Sequence, residues 1–247
     1  MDERVVAAIA RASERQAHRG PDGSGTFSTP GMGPGQVTLA HRRLAIIYLS
    51  AEASQPMRDP ESGSVIVYNG EVYNFRELRR ELEDAGRSFV SKCDTEVVLQ
   101  AYAHWGDACL ERLRGMFAFA IYDPRARRVL LARDRLGIKP LYTARVKCAS
   151  GGDTILFASE LRALLATGLL DRRLDPAGLA SFVWNGFVVG PSTILRGVRR
   201  IAPATALAID LGGLREQAWR FWSPPRAAPD PRGAEALRGE LEEAVRM

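Results

Sequence analysis

The sequence predicts an α+β layered domain over residues 1–222. Many segments have strand length, and their short connections make them antiparallel neighbours. Helical patterns group around these strands, as in a layered domain. Residues 116–122, Met-Phe-Ala-Phe-Ala-Ile-Tyr, are apolar on both faces, which predicts a central strand buried on both sides.

Taken in order, residues 5–17 predict a helix, with Val5, Val6, Ile9 and Ala12 at helical spacing. A glycine-rich loop spans 20–35, and a strand follows over 37–47. Strand 64–69 leads into helix 74–85, which Gly86 ends. Residues 95–105 and 108–113 predict helices. Asp123-Pro124 turns the central strand into strand 129–133, and 141–146 and 155–158 add two more. Helices follow at 161–166 and 176–184, and short strands return over 202–222. Residues 223–233 hold four prolines and predict a semi-rigid linker. A charged helix over 234–246 then begins the segment 234–247, which implies a further domain for it to pack against.

The composition, 46% hydrophobic and 26% charged, is that of a globular protein. No apolar run approaches a membrane span, and the acidic start lacks a signal-peptide pattern. The net charge of +5 comes from arginines spread beside glutamates, as in Arg76-Glu77-Leu78-Arg79-Arg80-Glu81. That pattern describes a charge-paired helix face and excludes a nucleic-acid-binding stripe. The three cysteines, Cys93, Cys109 and Cys148, have no metal-ligand spacing and suit a reducing cytoplasm.

The segment 65–74, Val-Ile-Val-Tyr-Asn-Gly-Glu-Val-Tyr-Asn, carries the chemistry. An apolar strand ends in an expected Asn69-Gly70 turn with Glu71 beside it. An amide side chain, a bare backbone N–H and a carboxylate then share one place, as a site for an oxyanion and an ammonium group requires. An ordinary Asn-Gly hairpin turn is the alternative.

A series of ordered matches decides between them. Arg19-Gly20-Pro21-Asp22-Gly23, His41-Arg42-Arg43-Leu44-Ala45-Ile46-Ile47, Gln55-Pro56-Met57 and Tyr68-Asn69-Gly70-Glu71 come first. Cys93-Asp94-Thr95-Glu96, the run from Gly115 to Ala120, the run from Ala132 to Tyr142, and Phe157-Ala158-Ser159-Glu160-Leu161 complete it. Over residues 16–222 the chain resembles the class II glutamine amidotransferase domain of glutamine-hydrolysing asparagine synthetases. The resemblance implies an αββα sandwich of two antiparallel sheets between helical layers, of the N-terminal nucleophile hydrolase type. It also implies ammonia release from L-glutamine for an ATP-dependent synthetase domain.

By that resemblance Arg43 grips the substrate α-carboxylate, and Asn69 and Gly70 form the oxyanion hole. Glu71 and Asp94 hold the α-ammonium, Asp94 also standing as an N-cap for the helix that follows. Leu44, Ile46 and Ile47 line the pocket, and Tyr48 replaces the family's usual aspartate. Arg133 and Asp134 imply a charge pair between strands, and His18, His41 and His104 are read as structural.

The family begins Met-Cys-Gly-Ile, and its cysteine supplies both the thiolate and, through its α-amine, the base. This chain begins Met1-Asp2-Glu3-Arg4, so the resemblance implies that the nucleophile is absent and glutamine hydrolysis compromised. ATP and magnesium are expected only in a synthetase domain, in cis or in trans, which leaves no cofactor and no metal for these residues. A homodimer is compatible with the family. The alternatives are a non-catalytic glutamine-sensing or scaffolding domain, or another class II amidotransferase.

Overall fold

The computed structural model describes residues 3–30, 35–45, 51–147, 152–225 and 233–246. Helix α1 (Glu3–Glu14) is followed by strands β1 (Gly23–Ser28), β2 (Thr38–Arg43), β3 (Met57–Arg58) and β4 (Val65–Val72). Helices α2 (Phe75–Asp84), α3 (Asp94–Trp105) and α4 (Cys109–Arg112) come next. Strands β5 (Gly115–Asp123), β6 (Arg128–Arg133), β7 (Tyr142–Lys147) and β8 (Asp153–Ala158) lead to α5 (Leu161–Ala166) and α6 (Pro176–Asn185). Strands β9 (Val198–Arg200), β10 (Thr205–Asp210) and β11 (Glu216–Arg220) and helix α7 (Gly233–Arg246) complete the order.

Every strand pairing is antiparallel, as the short connections require. Six strands form one sheet in the order β11-β10-β6-β5-β4-β3, with β5 inside it as the doubly apolar pattern predicts. Strands β8-β7-β9 and β1-β2 form two smaller sheets. Alternation along β5 divides the core. Phe117, Phe119 and Ile121 meet Leu78 and Leu82 of α2 and Val97, Val98 and Ala101 of α3. Ala118 and Ala120 meet Leu39, Ile155 and Phe157 of the smaller sheets. Behind these, Ala144, Val146 and Leu156 pack against Ala163 and Leu164 of α5 and Ala12 of α1. The layers therefore run helix, sheet, sheet, helix. No helix among the described residues is long and apolar enough to cross a membrane.

The structure corrects several expectations. The loop expected over 20–35 contains β1, which pairs with β2 from Gly23↔Arg43 to Ser28↔Thr38. Gly25 is there for space, because a Cβ on it would stand 2.1 Å from the Gln55 carbonyl oxygen. The strand expected over 37–47 is regular only to Arg43, and residues 46–50 lie outside those described.

Asn69-Gly70 is not a turn. Strand β4 runs straight through it, with Asn69 opposite Ala118 and Gly70 opposite Phe117. A Cβ on Gly70 would lie 2.2 Å from the Met116 carbonyl oxygen, so glycine is required by close approach. Tertiary pairing overrides the local turn propensity of the dipeptide.

Arg133 and Asp134 do not form the expected charge pair. Arg133 donates to the carbonyls of Lys139 at 2.7 Å, Ile201 at 2.6 Å and Gly137. Asp134 is fully buried and accepts backbone N–H bonds from Leu136 (3.1 Å), Ile138 (2.9 Å), Lys139 (2.9 Å) and Phe117 (3.3 Å). Each charge is satisfied by backbone dipoles, and together they mould the 134–139 loop against β5.

Replacing Asp134 by alanine strands several buried N–H groups at once. We expect a loss of about 3–5 kcal/mol in unfolding free energy, measured by urea denaturation. A loss below about 1 kcal/mol would contradict this role.

Candidate functional site

The site begins where β3 stops. In an antiparallel ladder alternate residues turn both N–H and C=O to the same side. On β4 the odd-numbered residues face β5, and the even-numbered ones face β3. However, β3 pairs only Met57 with Ile66 and Arg58 with Val65. Tyr68, Gly70 and Val72 therefore present their backbone groups along an edge with no partner strand.

Side chains take two of these positions. The Tyr68 N–H donates to Gln55 Oε1 at 2.6 Å, and the Tyr68 carbonyl accepts from His41 Nε2 at 3.1 Å. The Val72 N–H donates to Asp94 Oδ2 at 3.1 Å. Between them the alternation turns the Gly70 N–H toward the same edge, and the missing Cβ leaves it accessible. Beside it, Asn69 Nδ2 is buried with no hydrogen-bond partner. A buried amide donor without an acceptor costs free energy unless a bound group supplies one. Asn69 and Gly70 both line the same cavity.

Arg43 is positioned by the Arg19–Gly23 segment. A Cβ on Gly20 would stand 2.4 Å from the Arg42 carbonyl carbon, so only glycine allows the two backbones to cross. Asp22 N–H donates to the Arg43 carbonyl at 3.0 Å, and Asp22 Oδ2 accepts from Ala45 N–H at 2.8 Å. Arg19 and His18 both bond Glu160 Oε1 at 3.1 Å, which fastens this segment to the end of β8. The two motifs are far apart in sequence and adjacent in the fold.

Arg43, Leu44, Asn69, Gly70, Glu71 and Asp94 line one cavity of about 720 Å³. Ile46 and Ile47, also expected in the pocket, lie outside the described residues. Asp94 is not the N-cap expected. It is the first residue of α3, whose cap Cys93 makes no side-chain cap bond. Its Oδ2 accepts instead from Tyr68 Oη at 2.6 Å and from Val72 N–H. Glu96 closes the loop before α3 by accepting from the N–H groups of Val90 (2.7 Å) and Ser91 (2.6 Å).

Lining residues that the sequence reading did not place in the pocket include His41, taken as structural, Tyr68 and Lys139. The signal for Tyr68 was its place directly before Asn69, but only the fold carries its ring to α3.

Burial sets the charge states. It raises the Asp94 carboxyl, opposed by the Tyr68 hydroxyl and the Val72 and Thr95 N–H groups. It also raises the Tyr68 hydroxyl, aided by Asp94. Burial lifts the Cys93 thiol despite its Ser91 hydrogen bond, and pushes Cys109 up to about 12. Neither thiol is poised as a thiolate nucleophile. Burial lowers His41 from 6.5 to about 4, its bond to Tyr68 O opposing and the Arg43 charge adding. His41 is thus neutral at pH 7, with Nε2–H on the Tyr68 carbonyl and a buried, unpartnered Nδ1. Among the described residues no His, Cys, Asp or Glu cluster could hold a metal ion.

The chain is similar to known proteins over most of its length. The profile of the family described as "Glutamine amidotransferase domain" matches residues 1–222. "Asparagine synthetase [glutamine-hydrolyzing] 3" of Bacillus subtilis is 37% identical over 216 residues, covering 86% of this chain and 33% of that protein. A putative glutamine-hydrolysing asparagine synthetase of Mycobacterium tuberculosis (strain H37Rv) is 40% identical over 232 residues, covering 91% and 35%. The chain thus spans about a third of the length of these relatives. The solved glutamine phosphoribosylpyrophosphate amidotransferase of B. subtilis shares the fold, with a TM-score of 0.58 at 20% identity over 87% of this chain and 47% of that one.

The low His41 value has a consequence for stability. Between pH 6.5 and about 4 the unfolded chain binds a proton here that the folded protein excludes. Stability therefore falls as pH is lowered through this window, by up to about 3 kcal/mol. Thermal unfolding of the parent and of His41→Gln checks this, the variant losing that part of the acid sensitivity. Parallel melting-temperature profiles of the two from pH 7 to 4 would count against it.

Proposed function

The chain belongs to the glutamine amidotransferase domain family, and we propose that its cavity binds L-glutamine between the end of β2, the open edge of β4 and the first turn of α3. The Arg43 guanidinium grips the α-carboxylate, for which its planar fork is suited. Glu71 and Asp94 hold the α-ammonium. The Asn69 amide and the Gly70 N–H meet the side-chain carbonyl where negative charge develops as the amide nitrogen leaves. The unpartnered, buried Asn69 amide beside an open backbone edge carries this reading.

The names of the relatives, glutamine-hydrolysing asparagine synthetases, support a role for the released ammonia in amidation by a synthetase domain, in the same chain or another. ATP and magnesium belong to that domain in this reading. The described residues supply recognition and charge stabilisation. The buried, neutral Cys93 and Cys109 do not supply the nucleophile.

Titration with L-glutamine by calorimetry or NMR tests the proposal. We expect an affinity of about millimolar, equivalent to about −4 kcal/mol, weakened at least about tenfold in Arg43→Ala. Equal binding by parent and variant would remove Arg43 from its role. No binding by the parent at saturating glutamine would remove the glutamine reading itself.

A further inference from the structure

Tyr68 does more than fill the core beside the site. Its ring packs among the residues between β4 and α3, and the residue is only 4% exposed. Its hydroxyl donates to Asp94 Oδ2 at 2.6 Å, the same oxygen that accepts the Val72 N–H. Its backbone N–H is held by Gln55 and its carbonyl by His41. One residue thus fixes the peptide leading into Asn69 and, through its side chain, one oxygen of Asp94. Phenylalanine would fill the same space without that bond.

We propose that Tyr68 is a positioning residue that orients Asp94 and keeps it ionised for the substrate ammonium group. The inference rests on the assignment of Asp94 to the ammonium end of bound glutamine. The physical need is clear from burial. A carboxyl taken out of water tends to keep its proton, and a protonated Asp94 has no charge to offer an ammonium. The Tyr68 hydroxyl donates to the charged form and opposes that tendency. Its bond to Oδ2 also fixes the orientation of the carboxylate. The pairing runs one way at neutral pH, because burial and the neighbouring carboxylate keep Tyr68 protonated.

Other charged and titratable groups surround Asp94. Glu71 comes from β4, Cys93 and Glu96 flank it in sequence, Arg76 comes from α2, and His41 and Arg43 come from β2. Because His41 titrates at about 4, bulk binding data alone would mix the two events. The Asp94 carboxyl must be followed directly.

The test compares the full chain with Tyr68→Phe by two measurements. The first is the carbon-13 NMR titration of the Asp94 side-chain carboxyl in the ligand-free protein. The second is glutamine affinity as a function of pH. We expect the Asp94 midpoint to rise by about one pH unit in the variant. The pH at which glutamine affinity is lost on acidification should rise by the same amount. A native amide spectrum for the variant shows that the fold is kept. An unchanged Asp94 midpoint overturns the proposal whatever happens to glutamine. A shifted midpoint with an unshifted binding profile removes Asp94 from the ammonium contact, and the proposal fails with that assignment. A parent chain that binds no glutamine defeats the glutamine reading, even where the carboxyl titration shows the coupling.

Discussion

The site depends on a strand whose neighbour stops early. Strand β3 pairs with β4 at two positions, Ile66 and Val65, and the remainder of that edge is left to side chains. An unpaired edge is ordinarily a liability, since exposed N–H and C=O groups invite other strands. Here Gln55, His41 and Asp94 occupy the outer positions. The Gly70 N–H between them is left as a donor on a rigid frame. Rigidity comes from β5 on the other side of β4, paired from Val65↔Tyr122 to Val72↔Gly115 and buried on both faces. A donor fixed in this way needs little rearrangement when a charge develops before it.

Many polar residues in the ordered motifs serve this frame. Asp134 and Arg133 hold the 134–139 loop by backbone bonds. Asn74 joins the start of α2 to the end of α4 through the Arg112 carbonyl at 3.0 Å and the Arg114 N–H at 2.9 Å. Asp22 shapes the chain on both sides of Arg43. Arg133, Asp134 and Asn74 are buried and meet backbone dipoles, which is how a charge such as Arg133 or Asp134 can be held in a core without a counter-ion. The residues facing the cavity differ in kind. Asn69 and His41 each keep a buried polar atom unsatisfied. A bound group that supplies their missing partners offsets that cost.

Much of the fold was legible in the sequence. The doubly apolar run at 116–122 marked the central strand, and short connections marked antiparallel pairing. Helices α2 and α3 fell where periodicity and Gly86 placed them. The failures share a cause. Strand β1 was hidden because Gly23 and Gly25 imply a loop locally, whereas the packed chain needs the lack of a side chain at Gly25 for close approach. The dipeptide Asn69-Gly70 misled for the same reason, with a turn signal overridden by pairing to β5. Arg133 and Asp134 looked like partners because opposite charges are adjacent in sequence, but each is taken up by backbone groups of the loop that follows β6.

The sequence by itself determined the layered antiparallel architecture, the family, and the residue types that meet at the cavity, because periodicity and ordered motifs are written along the chain. Only the tertiary structure decided what those residues do to one another. That β3 ends before Tyr68, so that Gly70 faces an open edge, is a fact of strand length and register. That Tyr68 bonds Asp94 across 26 residues, and that His41 stays neutral, are facts of burial and approach. Hydrogen bonds and desolvation act over a few ångströms in space, and separation along the chain does not encode that distance.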